Sequence, residues 1–164
     1  MQIYFTFLLF NINSNETFGL IICIFVKKIV PLHQTYLTMK QIISTTQAPA
    51  AIGAYSQAVV ANGMLFASGQ LGIDPATGDF AGADFRSQAE QAVKNVAAIL
   101  NAAGTDASHV VKTTVFLTDM ANFAVLNEVY ATLFSAPFPA RSAVAVAALP
   151  KGGLVEIEVL AVLD

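Results

Sequence analysis

A single arginine stands at the head of an almost wholly apolar strand near the end of this chain. The strand reads Arg141–Ala148, and after a Leu-Pro-Lys-Gly-Gly turn a second strand, Leu154–Leu160, carries Glu156 and Glu158. A guanidinium keeps its charge inside proteins, so Arg141 requires an anionic partner. We expect the two strands to form a hairpin that closes the domain.

Two kinds of anionic partner are possible for Arg141. Arg141, Ala143 and the alanines that follow at every second position share one face of the strand, and their small side chains leave room beside the guanidinium. Such room suits a planar ligand carboxylate bound through two hydrogen bonds. The alternative is an ion pair with Glu156 or Glu158 that ties the hairpin together. Spacing alone does not choose between them.

The charge content of the chain indicates an oligomer. Hydrophobic residues make up 55% of the sequence and charged residues only 12%, whereas a soluble monomer is usually about a quarter charged. We therefore expect part of the surface to be covered by other subunits. The net charge is -3, and no basic cluster follows Lys40, so the electrostatic footprint of a nucleic-acid-binding protein is missing. The single cysteine, Cys23, excludes an internal disulfide.

The beginning of the chain differs in composition from the rest. Met1–Thr38 contains no alanine, whereas alanine is the commonest residue of Met39–Asp164. The first segment lacks a basic n-region and a small-x-small cleavage site. Its apolar runs, Phe5–Phe10 and Phe18–Val26, are shorter than the roughly 18–20 residues of a membrane-spanning helix. We interpret it as a leader outside the fold, either non-native sequence before the true start or a weak targeting segment, with a membrane helix as the last alternative.

Two apolar runs, Tyr55–Ala61 and Met64–Ser68, are separated only by Asn62 and Gly63. Both of these residue types tolerate positive φ, and an Asn-Gly pair between apolar runs is typical of a two-residue β-hairpin. A short strand, Lys40–Thr45, precedes this hairpin.

Two amphipathic helices flank a strand in the second half of the domain. The first helix is predicted to begin after an N-cap at Asp84 and to end at Gly104. Val110–Thr118 is rich in β-branched residues and is predicted to be a strand. The second helix is capped by Asp119 in this interpretation and is stopped by Pro137.

The resulting order is strand, hairpin, helix, strand, helix, hairpin. This order predicts an α+β domain, in which one sheet carries both helices on a single face. The other face then requires a cover, and another subunit is the expected one.

Four further residues are candidates for a binding site. Tyr55 lies where a loop meets a strand, so its hydroxyl can reach a ligand, although a core tyrosine is the commoner outcome. Ser68 and Gly69 end a strand, where Gly69 permits close backbone approach or simply a bend. Asn127 lies among apolar neighbours on the second helix and serves either a ligand or helix packing. No Ser-His-Asp set, phosphate loop or metal triad can be assembled.

Six short motifs follow one another in unbroken order from about Met39 to Asp164. They are Gly53-x-Tyr55-Ser56-Gln57, Phe66-x-Ser68-Gly69-Gln70, Gln88-x-x-x-x-x-Lys94-Asn95, Val111-Lys112-Thr113-Thr114-Val115-Phe116-Leu117, Pro139-Ala140-Arg141-Ser142 and Leu149-Pro150-x-x-x-x-Val155-Glu156-Ile157-Glu158. In this order they resemble the Rid family (YjgF/RidA type), the reactive-intermediate or enamine/imine deaminases. The resemblance is strongest to the RidA branch of that family.

The resemblance implies a homotrimer with a chorismate-mutase-like α+β fold, whose three sheets pack into a central barrel with active sites in clefts between subunits. It also implies that Arg141 grips the substrate carboxylate and that Glu156 positions the attacking water. The residues that it assigns to the lining of the pocket are Tyr55, Ser68, Gly69 and Asn127.

The activity implied by the resemblance is hydrolysis of 2-enamino and 2-imino acids, such as 2-aminoacrylate and 2-iminobutanoate, to 2-keto acids and ammonia. It implies no metal and no cofactor, and we expect a cytoplasmic protein with no nucleic-acid or membrane partner. One alternative is a trimeric module that binds small carboxylates without turnover. Another is an endoribonuclease or translation inhibitor, which the pI of about 5.2 and the scattered lysines disfavour.

The chain departs from the family pattern at two places. Ala143 stands where the family often has a cysteine, which excludes a thiol nucleophile at this position. The loop Phe134–Phe138 is a few residues shorter than in common members, which we expect to narrow the pocket or to alter a subunit contact.

Overall fold

The computed structural model describes residues 40–163 as an α+β domain of six strands and two helices. The elements are β1 (Gln41–Ile43), β2 (Ala58–Ala61), β3 (Met64–Leu71), α1 (Phe85–Ala102), β4 (Val110–Leu117), α2 (Phe123–Tyr130), β5 (Ala140–Ala145) and β6 (Val155–Val162). The leader 1–38, Cys23 and the expected start at Met39 lie outside the described residues. Within residues 40–163, no helix combines the length and the apolar character needed to cross a membrane.

All six strands belong to one mixed sheet with the order β1-β2-β3-β6-β4-β5. Neighbouring strands are antiparallel except β4 and β5, which run parallel. The predicted C-terminal hairpin is therefore wrong. β6 enters the middle of the sheet between β3 and β4, while β5 lies at the edge.

Side-chain size accounts for this arrangement. Val155, Ile157 and Val159 of β6 are completely or almost completely buried, and a central strand is where large β-branched side chains bury most surface. β5 is rich in alanine and gains little from a central position, so the edge suffices for it. The strand also ends at Ala145, three residues earlier than predicted.

The predicted turn between β2 and β3 is confirmed. Ala61 pairs with Met64 across a two-residue loop, in which Asn62 has φ of 52° and Gly63 has φ of 70°. Two successive residues with positive φ give the turn a twist that matches the flanking strands.

Helix α1 begins and ends as predicted. The carboxylate of Asp84 accepts a hydrogen bond from the Ser87 backbone N–H, which satisfies one of the free donors of the first turn. Gly104 follows the helix with φ of 76°. The buried face of α1 packs on β3, β6 and α2.

Helix α2 is shorter than predicted. Asp119 caps a 3₁₀ turn, Met120–Asn122, by accepting from the Ala121 N–H, and α2 follows without a side-chain cap of its own. The helix ends at Tyr130. The ring of Tyr130 packs against the ring of Phe134, and the two ring centroids are 4.4 Å apart. The chain therefore turns toward β5 well before Pro137.

Pairing across the sheet assigns each residue to a face, because residues opposite each other in register point the same way. Arg141 lies opposite Thr113, which lies opposite Val159. Thr113 and Val159 are buried beneath the helices, so Arg141 belongs to the helix-covered face. Glu158 lies opposite Thr114 and belongs to the other face.

The second face of the sheet carries large apolar side chains that are exposed in the single chain. They are Ile42, Phe66, Val144 and Val162, each between 39% and 50% exposed. Glu156 and Glu158 lie on this same face.

Candidate active site

An open pocket of about 390 Å³ lies beside Glu156. Four of the residues that the sequence singled out line it: Tyr55, Ser68, Gly69 and Glu156. The loop before β2 forms one wall through Pro49, Ala50, Ile52 and Gly53, and the turn before β6 contributes Pro150 and Lys151. The pocket thus joins one carboxylate to a largely apolar lining.

Glu156 is placed by the central strand of the sheet. It pairs with Leu71 of β3 on one side and Phe116 of β4 on the other. Burial raises the pKa of the Glu156 carboxyl above its ordinary value, and the neighbouring negative charge of Glu158 adds to this effect. A carboxylate with a raised pKa is a better proton acceptor near neutral pH, which suits a general base.

A bulge in β3 makes space for this carboxylate. The register between β3 and β6 shifts between Ala67 and Gln70, so the ladder skips Ser68 and Gly69. A Cβ built on Gly69 would overlap the carboxylate of Glu156, 2.6 Å from Cδ and 2.7 Å from Cγ. The expected close approach at Gly69 is confirmed, although β3 does not end there but continues to Leu71.

Ser68 is tied to the strand on its other side. Its backbone N–H donates to the Gln57 carbonyl at 3.0 Å, and its hydroxyl donates to the Ser56 carbonyl at 2.7 Å. Because the hydroxyl proton is used in this way, Ser68 offers its lone pairs to the pocket as an acceptor.

Tyr55 lies at the mouth of the pocket, not in the core. Its side chain is 53% exposed, so the commoner outcome for a tyrosine does not apply here. The ring lies over Gly53, where a Cβ would come within 3.3 Å of it.

Arg141 is held by side chains of helix α2. Its Nη2 donates to Oδ1 of Asn127 at 2.8 Å. Its guanidinium carbon lies 4.7 Å from the ring centroid of Tyr130 and 5.4 Å from that of Phe123, within the range of cation–π attraction. Asn127 is exposed, so helix packing does not account for it, and its Oδ1 holds the Arg141 guanidinium.

The proposed ion pair between Arg141 and a glutamate of β6 does not form. Arg141 lies on the helix-covered face of the sheet, whereas Glu156 and Glu158 lie on the opposite face. Within residues 40–163, the ion pairs are Arg86–Glu128 and His109–Asp106, and neither includes Arg141. The guanidinium therefore keeps an unneutralised charge beside two aromatic rings.

Sequence reasoning missed the aromatic part of this arrangement. Phe123, Asn127 and Tyr130 follow one another at i, i+4 and i+7, which places all three on one face of α2. The hydroxyl of Tyr130 lies 2.9 Å from Oγ1 of buried Thr113, and burial raises the pKa of the Tyr130 phenol. The i, i+4, i+7 spacing of these three residues is the sequence signal that could have indicated this arrangement.

The candidate residues thus form two groups in one chain. Glu156, Tyr55, Ser68 and Gly69 share the pocket, whereas Arg141 and Asn127 meet on the far side of the sheet. Among residues 40–163, no group of three or more His, Cys, Asp or Glu side chains is arranged to hold a metal ion.

Comparison with known proteins gives concordant matches. A family model described as Endoribonuclease L-PSP matches residues 45–163. The RutC family protein y4sK of Sinorhizobium fredii is 59% identical over 116 residues, which are 71% of this chain and 92% of that protein. The 2-iminobutanoate/2-iminopropanoate deaminase of Rattus norvegicus is 51% identical over 124 residues, 76% of this chain and 90% of that protein. The crystal structure of RidA from the Antarctic bacterium Psychrobacter sp. PAMC 21119 matches with a TM-score of 0.73 at 53% identity, covering 75% of this chain and 99% of that one.

Proposed function

Because this chain belongs to the Rid family, we propose that it is a hydrolase of reactive 2-enamino and 2-imino acids. Its substrates are acids such as 2-aminoacrylate and 2-iminobutanoate, and its products are 2-keto acids and ammonia. The observation that carries this proposal is the 51% identity over 124 residues to a 2-iminobutanoate/2-iminopropanoate deaminase. The two ionic groups that the reaction requires, Arg141 and Glu156, are both present.

Arg141 binds the substrate carboxylate in this proposal. Its charge is not neutralised by a glutamate within residues 40–163, and the contact with Asn127 uses only part of its five N–H donors. A fixed guanidinium with free donors suits a planar carboxylate. Binding through the carboxylate then holds the imine carbon at a defined distance from the pocket wall.

Glu156 acts as the general base. Water adds to the imine carbon while Glu156 accepts one of its protons, and the nitrogen receives that proton as the carbinolamine forms. Loss of ammonia from the carbinolamine leaves the keto acid, so C=NH and water become C=O and ammonia. The raised pKa of Glu156 favours this transfer near neutral pH. Tyr55, Ser68 and Gly69 shape the pocket around the reacting atoms.

The complete site takes residues from two subunits of a homotrimer. Two features support this assembly: the separation of Arg141 from Glu156 by the thickness of the sheet, and the apolar side chains exposed on the Glu156 face. A neighbouring copy that covers this face brings its own Arg141 and Asn127 to the pocket. Three sheets packed in this way enclose a barrel.

Mixing two inactive variants tests both the roles and the assembly. Arg141→Lys and Glu156→Gln subunits, unfolded and reassembled together at equal amounts, should recover about a quarter of the wild-type activity, since about one interface in four then pairs an intact Arg141 with an intact Glu156. No recovery would mean that each subunit holds a complete site. Light scattering of the wild type at micromolar concentration gives the subunit number directly.

The reaction itself is tested with an imine made in place. A pyridoxal-phosphate enzyme acting on threonine releases 2-iminobutanoate, and keto acid and ammonia are followed with and without the protein. An accelerated release supports the deaminase. Binding of 2-oxobutanoate without acceleration would favour a carboxylate-binding module instead.

Cleavage of RNA is the second candidate, because the matching family model carries the description of an endoribonuclease. The net charge of -3 disfavours it, since phosphate contacts need clustered lysines and arginines. A nuclease assay on protein purified free of contaminating ribonuclease decides this. Cleavage that persists in both the Arg141→Lys and the Glu156→Gln variant belongs to a different site or to a contaminant.

We expect residues 39–164 to suffice for the activity, in the cytoplasm and without a cofactor. The family model matches 45–163, which supports this boundary. Comparing turnover and assembly with and without residues 1–38 tests it.

A further inference from the structure

Buried polar side chains are concentrated around the Glu156 pocket. The most deeply buried polar residues of the described chain are Gln57, Gln70, Gln88, Asn95 and Thr113, and four of these five are amides. Burying an amide costs free energy unless its donors and acceptors are paired. The location of these amides therefore indicates which part of the backbone the domain holds in a fixed position.

Two of the amides extend from α1 toward the pocket. Asn95 donates to the carbonyls of Leu71 and Ile73, both of which line the pocket. Gln88 accepts from the backbone N–H of Leu154, two residues before Glu156. These contacts fix the floor of the pocket to the helix.

Gln57 holds the opposite wall. It is only 4% exposed. Its Oε1 accepts from the Thr45 N–H at 2.7 Å, and its Nε2 lies 3.0 Å from the Thr45 carbonyl, 3.2 Å from that of Ala48 and 2.8 Å from that of Pro49. One amide thus gathers the backbone of residues 45–49 around itself.

The same residue is fixed to the floor through its own backbone. The Gln57 carbonyl accepts from the N–H of Ser68, in the bulge that makes room for Glu156. In the part of the chain that the structure describes, the hydrogen bonds that join residues 45–49 to the rest of the domain all end on the Gln57 side chain. Packing also holds Ala48, which is buried in the core, whereas Ile52, farther along the same loop, is 80% exposed.

We propose that Gln57 is a positioning residue, which holds residues 45–49, including the pocket-lining Pro49, against the Ser68–Gly69 bulge and so sets the width of the pocket beside Glu156. The inference rests on the proposed function for the identity of the bound molecule, but the hydrogen bonds that carry it are independent of that function. Gln57 itself lines the pocket, but its side-chain amide is engaged with the backbone of residues 45–49. It acts through the wall, so its loss should weaken substrate binding more than it slows the chemical step.

The test uses Gln57→Met in the full chain, since methionine has a similar volume and none of the hydrogen bonds. Amide hydrogen exchange at Thr45 should accelerate at least about tenfold, because its N–H loses its acceptor. The KM for 2-iminobutanoate should rise about tenfold or more while kcat changes less than about threefold. The matched control is Val96→Ala, a buried residue of α1 outside the pocket lining, which lowers stability without freeing the loop.

The outcomes separate the proposal from general destabilisation. Faster exchange at Thr45 with a KM like that of the wild type and the control would overturn the proposal, and so would unchanged exchange at Thr45. If the methionine variant does not fold, Gln57→Asn gives the same comparison, because it keeps an amide but shortens its reach by one methylene.

Failure of the proposed function is distinguishable from failure of this inference. If the wild type does not accelerate imine hydrolysis, the Kd for 2-oxobutanoate replaces KM. A weaker Kd for Gln57→Met then supports the positioning role, whereas an equal Kd counts against it. If the wild type does not bind 2-oxobutanoate, unchanged hydrogen exchange at Thr45 in Gln57→Met counts against the positioning role.

Discussion

The two ionic groups of the candidate site are held by different means. Glu156 lies on the central strand β6, where neighbouring strands pair with it on both sides and a bulge accommodates its carboxylate. Arg141 lies on the edge strand β5, where one amide and two aromatic rings orient it. The position of Glu156 thus depends on backbone geometry, and that of Arg141 depends on side chains of one short helix. Substitutions at Glu156 and at Arg141 should therefore change activity and stability in different ways.

Loss of the carboxylate should have the largest effect. Glu156→Gln is expected to lower kcat by about 10²- to 10⁴-fold, because the amide can hydrogen-bond the water but cannot accept its proton. Measurement of kcat for 2-iminobutanoate checks this. Binding of 2-oxobutanoate should persist, and a variant with wild-type kcat would remove Glu156 from the mechanism.

The same substitution should stabilise the fold at neutral pH. Because the pKa of Glu156 is raised in the folded protein, ionising it costs more in the folded than in the unfolded state, and stability falls as pH rises through this range. Glu156→Gln removes that cost, so its Tm at pH 7 should exceed that of the wild type. The difference should vanish at pH values below the ordinary pKa of a glutamate, where both states are protonated.

Replacing the arginine should have the next largest effect. Arg141→Lys keeps the charge but loses the planar pair of donors and is expected to cost roughly 2–4 kcal/mol, or about thirty- to a thousandfold in kcat/KM. Tm and subunit number should stay near wild type, since the arginine lies on an edge strand. Wild-type kinetics would assign Arg141 a role other than substrate binding.

A backbone change tests the acidic group without touching its charge. Gly69→Ala places a methyl group where the Glu156 carboxylate lies, so the carboxylate must move by about an ångström, a displacement that can cost about a hundredfold in rate. Overpacking should also destabilise the domain by about 1–3 kcal/mol. The matched control is Gly78→Ala: this glycine has no atom within 4 Å of its Cβ position, so its cost is backbone strain alone.

Two substitutions of Tyr130 separate the effect of its ring on Arg141 from the effect of its hydroxyl. Tyr130→Leu removes a ring 4.7 Å from the guanidinium and should raise KM by about three- to thirtyfold. Tyr130→Phe keeps the ring and loses only the contact with Thr113. It should lower the free energy of unfolding by about 1 kcal/mol and leave KM almost unchanged. Equal KM values for the two variants would show that the ring contact is irrelevant to binding.

The smallest effect concerns pH. The acid limb of the kcat/KM profile should lie above the ordinary pKa of a glutamate, because burial and Glu158 both raise the pKa of Glu156. Glu158→Gln removes one of these causes and should move that limb to lower pH. A limb that does not move would mean that burial alone sets the pKa.

Local signals in the sequence predicted most elements, because each is a property of a few adjacent residues. The Asn62-Gly63 turn and the Asp84 cap are of this kind. Strand partners are not local, and adjacency in sequence wrongly suggested that β5 pairs with β6. Pairing decides which face Arg141 shares, so the question of its partner could not be answered before the sheet order was known.

The site residues show the same difference between local signals and long-range contacts. Residue type and motif order identified Glu156 and Gly69 as candidates, and the structure adds that the two lie against each other. A core position is the commoner outcome for a tyrosine, whereas Tyr55 is exposed beside the pocket. The neighbouring residues 45–49 are hydrogen-bonded to Gln57, twelve residues after Thr45. Long-range hydrogen bonds of this kind leave no periodic trace in a sequence.

The position of β6 governs when the domain can fold during synthesis. Among the described strands, β1 to β3 and the pair β4 and β5 are joined within the sheet only through β6, which is the last of the six to be synthesised. Neither part can bury its inner face fully until residues 155–162 have left the ribosome, and closing such sequence-distant pairs is slow. Glu156 lies on β6, so the nascent chain gains its proposed base in the step that completes its core. A chain that lacks residues 155–162 has neither a complete core nor this base.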